Sequence, residues 1–126
     1  MTTTPGAVNG AVRRWLRVEG FAVLILALLL YARPDYSWTL FALLFLLPDL
    51  SFAAYAAGAR TGAVVYNLMH SYAIPAVLAI VLLLIDASLA IPLIWIAHIG
   101  MDRALGYGLK YPTGFGSTHL GAIGKR

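Results

Sequence analysis

Residues 62–105 read GAVVYNLMHSYAIPAVLAIVLLLIDASLAIPLIWIAHIGMDRAL, and Asp86, Asp102 and Arg103 are the only acidic or basic side chains there besides the histidines. Asp86 parts this stretch into two apolar runs, about 62–85 and 87–105. About 20 apolar residues cross the hydrocarbon core of a bilayer, so both runs are expected to span. Working back toward the N-terminus, two further runs of the same kind occur at about 36–59 and 15–32. The sequence therefore predicts an all-α fold, an integral membrane four-helix bundle occupying residues 13–105.

Composition agrees. Of 126 residues, 61% are hydrophobic and 11% charged, where a soluble domain carries about 25% charged residues. A soluble globule is excluded. The polar-leaning stretch after Leu105 is shorter than the roughly 50 residues a separate domain needs, so one structural unit is expected, with residues 1–12 as a disordered tail and 106–126 as an interfacial one. Arg13, Arg14 and Arg17 before the first run resemble the start of a secretory signal, but no A-x-A-like site follows Leu30; the first helix is expected to be retained.

The formal net charge is +4, and the cations lie at the ends of apolar runs rather than along one soluble face, which argues against nucleic acid as a partner. Arg13, Arg14, Arg17, Arg60, Arg103, Lys110, Lys125 and Arg126 fall on one side of the expected bundle, and Arg33, Asp35 and Asp86 on the other. Because cytoplasmic loops carry the excess of Lys and Arg, both termini are expected in the cytoplasm, in a multi-pass protein of the cell membrane. Ala53, Ala54, Ala57 and Gly58 supply small residues for close helix packing, with Gly62 opening the third helix. Homo-oligomerisation through such faces is compatible with this pattern. Pro48 within the second run is expected to kink it toward the interior.

Cysteine is absent, so chemistry falls to histidine, carboxylates and other polar groups. Polar and ionisable residues inside a membrane are costly and mark functional sites by default. Glu19, Asp49, Asn67, His70, Ser71, His98, Asp102 and Arg103 are of this kind. At 1.5 Å rise per residue, Glu19 lies roughly 6 Å, His98 about 10 Å, His70 about 12 Å and Asp49 about 15 Å from the expected cytoplasmic ends. His98 and Asp102 share a helix face, and Asn67, His70 and Ser71 form a stripe on another helix.

Imidazoles and carboxylates converging on one point suit a divalent metal such as Zn, Mn or Fe. On this reading His70, His98 and Asp102 are ligands, and Asp49 is a fourth ligand or a catalytic general base. Glu19, Asn67, Ser71, Arg103, Tyr107, Lys110 and His119 would surround the cavity. A hydrogen-bonded His98–Asp102 packing pair and a proton relay are the alternatives. In the tail, Tyr107, Tyr111 and Phe115 suit the head-group belt and Lys110 suits lipid phosphates; the sharper alternative folds the tail under the bundle, with Lys110 or His119 closing the cavity. Gly106-Tyr107-Gly108 lacks the preceding Thr-Val of a potassium filter.

Arg17-Val18-Glu19-Gly20, Leu47-Pro48-Asp49-Leu50-Ser51, Thr61-Gly62-Ala63, Tyr66-Asn67, His70-Ser71-Tyr72, Ala97-His98-Ile99-Gly100-Met101-Asp102-Arg103 and Gly106-Tyr107-Gly108-Leu109-Lys110-Tyr111-Pro112 together resemble the domain of unknown function 4260 family over about residues 13–121. That resemblance implies a small multi-pass bacterial membrane protein. His70-Ser71 and the spacing of His98 and Asp102 are also similar to membrane-bound metal-dependent hydrolases, which implies metal-assisted hydrolysis. The function expected is hydrolysis of a lipid or another membrane-associated substrate; the non-enzymatic alternative is a small transporter, proton-relay component or assembly subunit.

Overall fold

The computed structural model describes residues 5–33 and 36–123; Asp35, Lys125 and Arg126, used above for orientation, lie outside the described residues, as do Met1–Thr4. Its helices are α1 (Gly10–Ala32), α2 (Trp38–Leu44), a 3-10 segment (Leu47–Ala57), α3 (Ala59–His70), α4 (Ala73–Leu84) and α5 (Ala90–Leu105). A two-residue antiparallel hairpin, β1 (Ser117–Thr118) and β2 (Gly121–Ala122), closes the chain. The fold is all-α with four helical rods, as the sequence indicates.

Three rods, Gly10–Ala32, Trp38–Ala57 and Ala59–Leu84, are long and apolar enough to cross a membrane. Their large apolar side chains point outward, among them Leu26, Leu29, Leu43, Leu83, Leu84 and Ile85. Such a surface suits hydrocarbon rather than water, and the chain has the build of a membrane protein. The fourth rod, α5, has 16 residues, and its length of about 24 Å falls short of the roughly 30 Å core. It is the inner helix, burying Ile94, Ala97, His98, Ile99, Gly100 and Asp102.

Two of the rods expected to be continuous are interrupted, each at a proline. Pro48 has no N–H for the Leu44 carbonyl, and α2 ends at Leu44. The chain resumes as the 3-10 segment with Pro48 in its first turn. Pro75 likewise cannot bond the Ser71 carbonyl; α3 ends at His70, and Ser71 is extended with φ −96° and ψ 138°. Irregular backbone at membrane depth survives only where protein covers it or it lines a cavity. Here α5 covers it: Trp95 Nε1 donates to Met69 O at 2.6 Å and Arg103 Nη2 to His70 O at 3.1 Å, satisfying two carbonyls at the end of α3.

Close packing uses different small residues from those expected. Ala53, Ala57 and Gly58 are exposed, whereas Gly20 of α1 and Gly100 of α5 meet backbone to backbone. A Cβ on Gly100 would stand 2.8 Å from both Gly20 O and Leu24 N. Gly62 keeps its expected packing role by seating the Tyr55 ring. At the other end of the bundle, Tyr31, Ala90 and Ile94 form a buried cluster with Tyr36, Phe41 and Phe45 around it.

The described residues next to each terminus pack on the bundle. α1 begins at Gly10 rather than near residue 15, and Val8 N–H donates to His119 O at 2.9 Å. Arg13 Nε donates to Leu120 O and Arg17 Nε to Ala104 O. These bonds draw the C-terminal segment across the start of α1 and one end of the bundle.

Candidate metal centre

Each interruption places one acidic or basic side chain. Asp49 follows Pro48 in the first turn of the 3-10 segment, and His70 is the last residue of α3. A helix C-terminus favours positive charge, so His70 stands where a cation is stabilised. His98 and Asp102 come from one face of α5, four residues apart.

The four side chains meet. Nε2 of His70 is 3.1 Å from Asp49 Oδ1, 3.3 Å from Nε2 of His98 and 3.6 Å from Asp102 Oδ2. Nε2 of His98 is 3.2 Å from Asp49 Oδ1 and 3.3 Å from Asp102 Oδ2. One donor atom from each residue lies within 4.8 Å of the other three. Ligands about 2.1 Å from a common ion at tetrahedral angles stand about 3.4 Å apart, which is the spacing seen here. His70, His98 and Asp102 are buried, while the Asp49 side chain keeps 33% of its surface exposed.

Hydrogen bonding fixes one tautomer. Nδ1 of His70 lies 2.9 Å from the Tyr66 carbonyl, which can only accept, so Nδ1 carries the proton. Neutral His70 then turns the lone pair of Nε2 toward Asp49 Oδ1 and Nε2 of His98. A proton shared with His98 Nε2 or Asp49, or a metal ion between them, makes that arrangement attractive. Donation of the remote ring N–H to a backbone carbonyl is also how metal-bound histidines are oriented. Tyr66 further stacks on the His70 ring, centroid to centroid at 3.7 Å.

A cavity of about 260 Å³ adjoins the centre. Asp49 and Asp102 line it and neither imidazole does; Phe52, Tyr66 and Phe115 form aromatic wall, with Lys110 and Tyr107 also at its surface. Lys110 is 4% exposed. Burial brings its ammonium down to about 8, against the pull of Asp102 and Asp49. Asn67 holds it in place at the backbone: its Nδ2 donates to Lys110 O at 2.8 Å, and Lys110 N–H donates to its Oδ1 at 2.6 Å.

The remaining expected residues fall into two groups. Asn67, Tyr107, Lys110 and Arg103 surround the centre or brace it. Glu19, Ser71 and His119 do not. Glu19 is exposed on α1 and borders a separate groove with Tyr72 and Arg103; Ser71 Oγ accepts from Ala73 N–H at 3.3 Å, just before α4. His119 accepts the Leu109 N–H on Nδ1 at 2.9 Å and ties the tail to itself; its burial pulls the imidazole below 6.5. Of the two residues considered for closing the cavity, only Lys110 lines it. Asp49 faces both histidines.

Sequence reasoning missed Tyr66 and Phe115. Tyr66, four residues before His70 on α3, carried a helical spacing signal, whereas nothing local places Phe115 against Phe52 and Tyr55 at 5.2 Å.

No curated protein and no solved structure matches the chain. The model of one family, Domain of unknown function (DUF4260), matches residues 13–123, nearly the whole chain, and the protein belongs to that family.

Proposed function

We propose that the protein is a membrane-embedded, metal-dependent hydrolase with Asp49, His70, His98 and Asp102 as its metal-binding set. The observation that carries this reading is the approach of both Nε2 atoms to one Asp49 oxygen, at 3.1 and 3.2 Å, with His70 Nδ1 already committed to Tyr66 O. Two imidazoles and two carboxylates fit Zn, Mn or Fe. Such an ion, when bound, lowers the pKa of a coordinated water to about 7 and supplies a nucleophile at neutral pH.

The chain's own residues do the rest. Tyr66 orients His70 by stacking and by its carbonyl. Asp49 and Asp102 face the cavity, so the accessible side of the centre is the carboxylate side, where Asp49 can also take the proton of an attacking water. Phe52, Tyr66 and Phe115 give the cavity an apolar wall. A lipid or another membrane-associated ester is the substrate class that reaches a cavity in this setting, with both termini in the cytoplasm and the bundle in the cell membrane. All four side chains come from one chain, so the reading holds whether or not copies associate.

Detergent-solubilised protein incubated with ester-linked lipids tests this. Turnover that a chelator abolishes and added Zn, Mn or Fe restores is the expected result. Absence of turnover with every ion, together with pH-driven proton flux in reconstituted vesicles, would replace hydrolysis by proton handling.

A further inference from the structure

Among the described residues Lys110 is the only lysine or arginine that is buried, at 4% exposure. Its Nζ lies 3.8 Å from the centre of the Phe115 ring and 4.8 Å from that of Tyr66. Within the described residues no carboxylate forms an ion pair with it. Ring faces hold an ammonium without neutralising it, and the remaining approach to Lys110 is the cavity it shares with Asp49 and Asp102.

Charge counting shows what the cavity lacks. A divalent ion held by two carboxylates and two neutral imidazoles has no net charge, and Asp49 and Asp102 are then committed to it. Lys110 leaves a surplus of one positive charge in a half-open, aromatic-walled cavity. A buried charge of that kind calls for a counter-charge, and no side chain lining the cavity supplies it. The clasp of Asn67 on both polar groups of the Lys110 backbone holds the residue at this position.

We propose that the cavity binds a phosphate group of the substrate, with one phosphate oxygen at Lys110 Nζ and the group's other side toward Asp49 and Asp102; this rests on the metal-centre reading above. Phosphate is the favoured anion because a tetrahedral oxyanion has oxygens enough to reach both an ammonium and an ion, and because it is the anion that membranes present at head-group level. The segment around Lys110, folded across an end of the bundle, suits that level. A lipid head group and free phosphate share this chemistry.

Cobalt(II)-loaded protein in detergent provides the test, because the visible spectrum of the ion reports changes in its surroundings. Inorganic phosphate and dioctanoyl phosphatidic acid are titrated separately, with dioctanoylglycerol as the phosphate-free control. The wild type is expected to show a saturable spectral change with a phosphate-bearing probe and none with the control. Lys110→Met should bind cobalt at the wild-type stoichiometry yet need about tenfold more probe or beyond, and Lys110→Arg should recover part of the loss. Tighter binding of the lipid names the membrane as the source, and tighter binding of inorganic phosphate names the free anion. With cobalt bound, a flat wild-type titration or an unimpaired Lys110→Met overturns the phosphate site alone. Failure of the wild type to take up cobalt overturns the metal centre and the phosphate site together.

Discussion

Asp49 and His70, 21 residues apart, meet at 3.1 Å because each stands where a proline interrupts a helix. The interruptions bring a carboxylate and an imidazole to the flank of α5, where His98 and Asp102 already project. Replacing Asp49 by Asn keeps the shape and removes the charge. Loss of partners that merely support a metal ligand costs about 10–100-fold in affinity, so Asp49→Asn is expected to weaken metal binding by at least that range. Competition with a chromophoric chelator measures it, and wild-type affinity in the variant would exclude Asp49 as a ligand.

Asn67→Ala removes two hydrogen bonds to the Lys110 backbone and leaves both groups unsatisfied in a half-buried setting. Destabilisation of about 2 kcal/mol is expected, with metal stoichiometry unchanged because no ligand is touched. Asn67→Asp retains the acceptor for Lys110 N–H but sets a carboxylate oxygen against Lys110 O, and should destabilise at least as much. Thermal unfolding of the metal-loaded variants in detergent checks the order.

Gly100→Ala drives a methyl group to 2.8 Å from two backbone atoms of α1. Backbone cannot rotate away as a side chain would, so the α1–α5 crossing must open. A loss of about 1–3 kcal/mol is expected, read as a lower unfolding midpoint. Ala53→Val, at an exposed position, should leave the midpoint within about 0.5 kcal/mol of wild type.

Acid is expected to release the tail. His119 Nδ1 accepts the Leu109 N–H, and an imidazolium would set donor against donor. Its folded value lies below 6.5 through burial, first, and the Arg103 charge. In the window between that value and 6.5 the undocked tail binds the proton more readily, so docking is at full strength above 6.5 and weakens as pH falls through the folded value. Amide-exchange protection of Leu109, corrected for the intrinsic pH dependence, should fall over this range. His119→Asn should remove the dependence.

The rods and the four-residue constellation could be read from the sequence because each rests on a local rule. Apolar runs of spanning length gave the helices, and the cost of charge in a membrane singled out Asp49, His70, His98 and Asp102. The break at Ser71 is not read by these rules, because the apolar run continues unbroken through Pro75, although a proline there denies the Ser71 carbonyl its N–H. Glu19 obeyed the same cost rule and yet lies outside the centre, because it stands on an exposed face well inside α1 and borders another groove. The docking of the tail depends on Arg13 reaching Leu120 across 107 residues and Val8 reaching His119. Contacts of that separation leave no mark in local periodicity, which is why Phe115 and the Gly20–Gly100 crossing emerge only in three dimensions.

The central claim is that the cluster holds an ion. Metal content of detergent-purified protein, measured by mass spectrometry for the wild type and for the His98→Ala, Asp102→Ala double variant, tests it most directly, with circular dichroism confirming that both retain their helices. One divalent ion per chain in the wild type, lost in the folded double variant, is the predicted result. An absence of metal from both, or equal content in both, would contradict the metal centre and leave the four side chains as a proton-sharing or packing cluster.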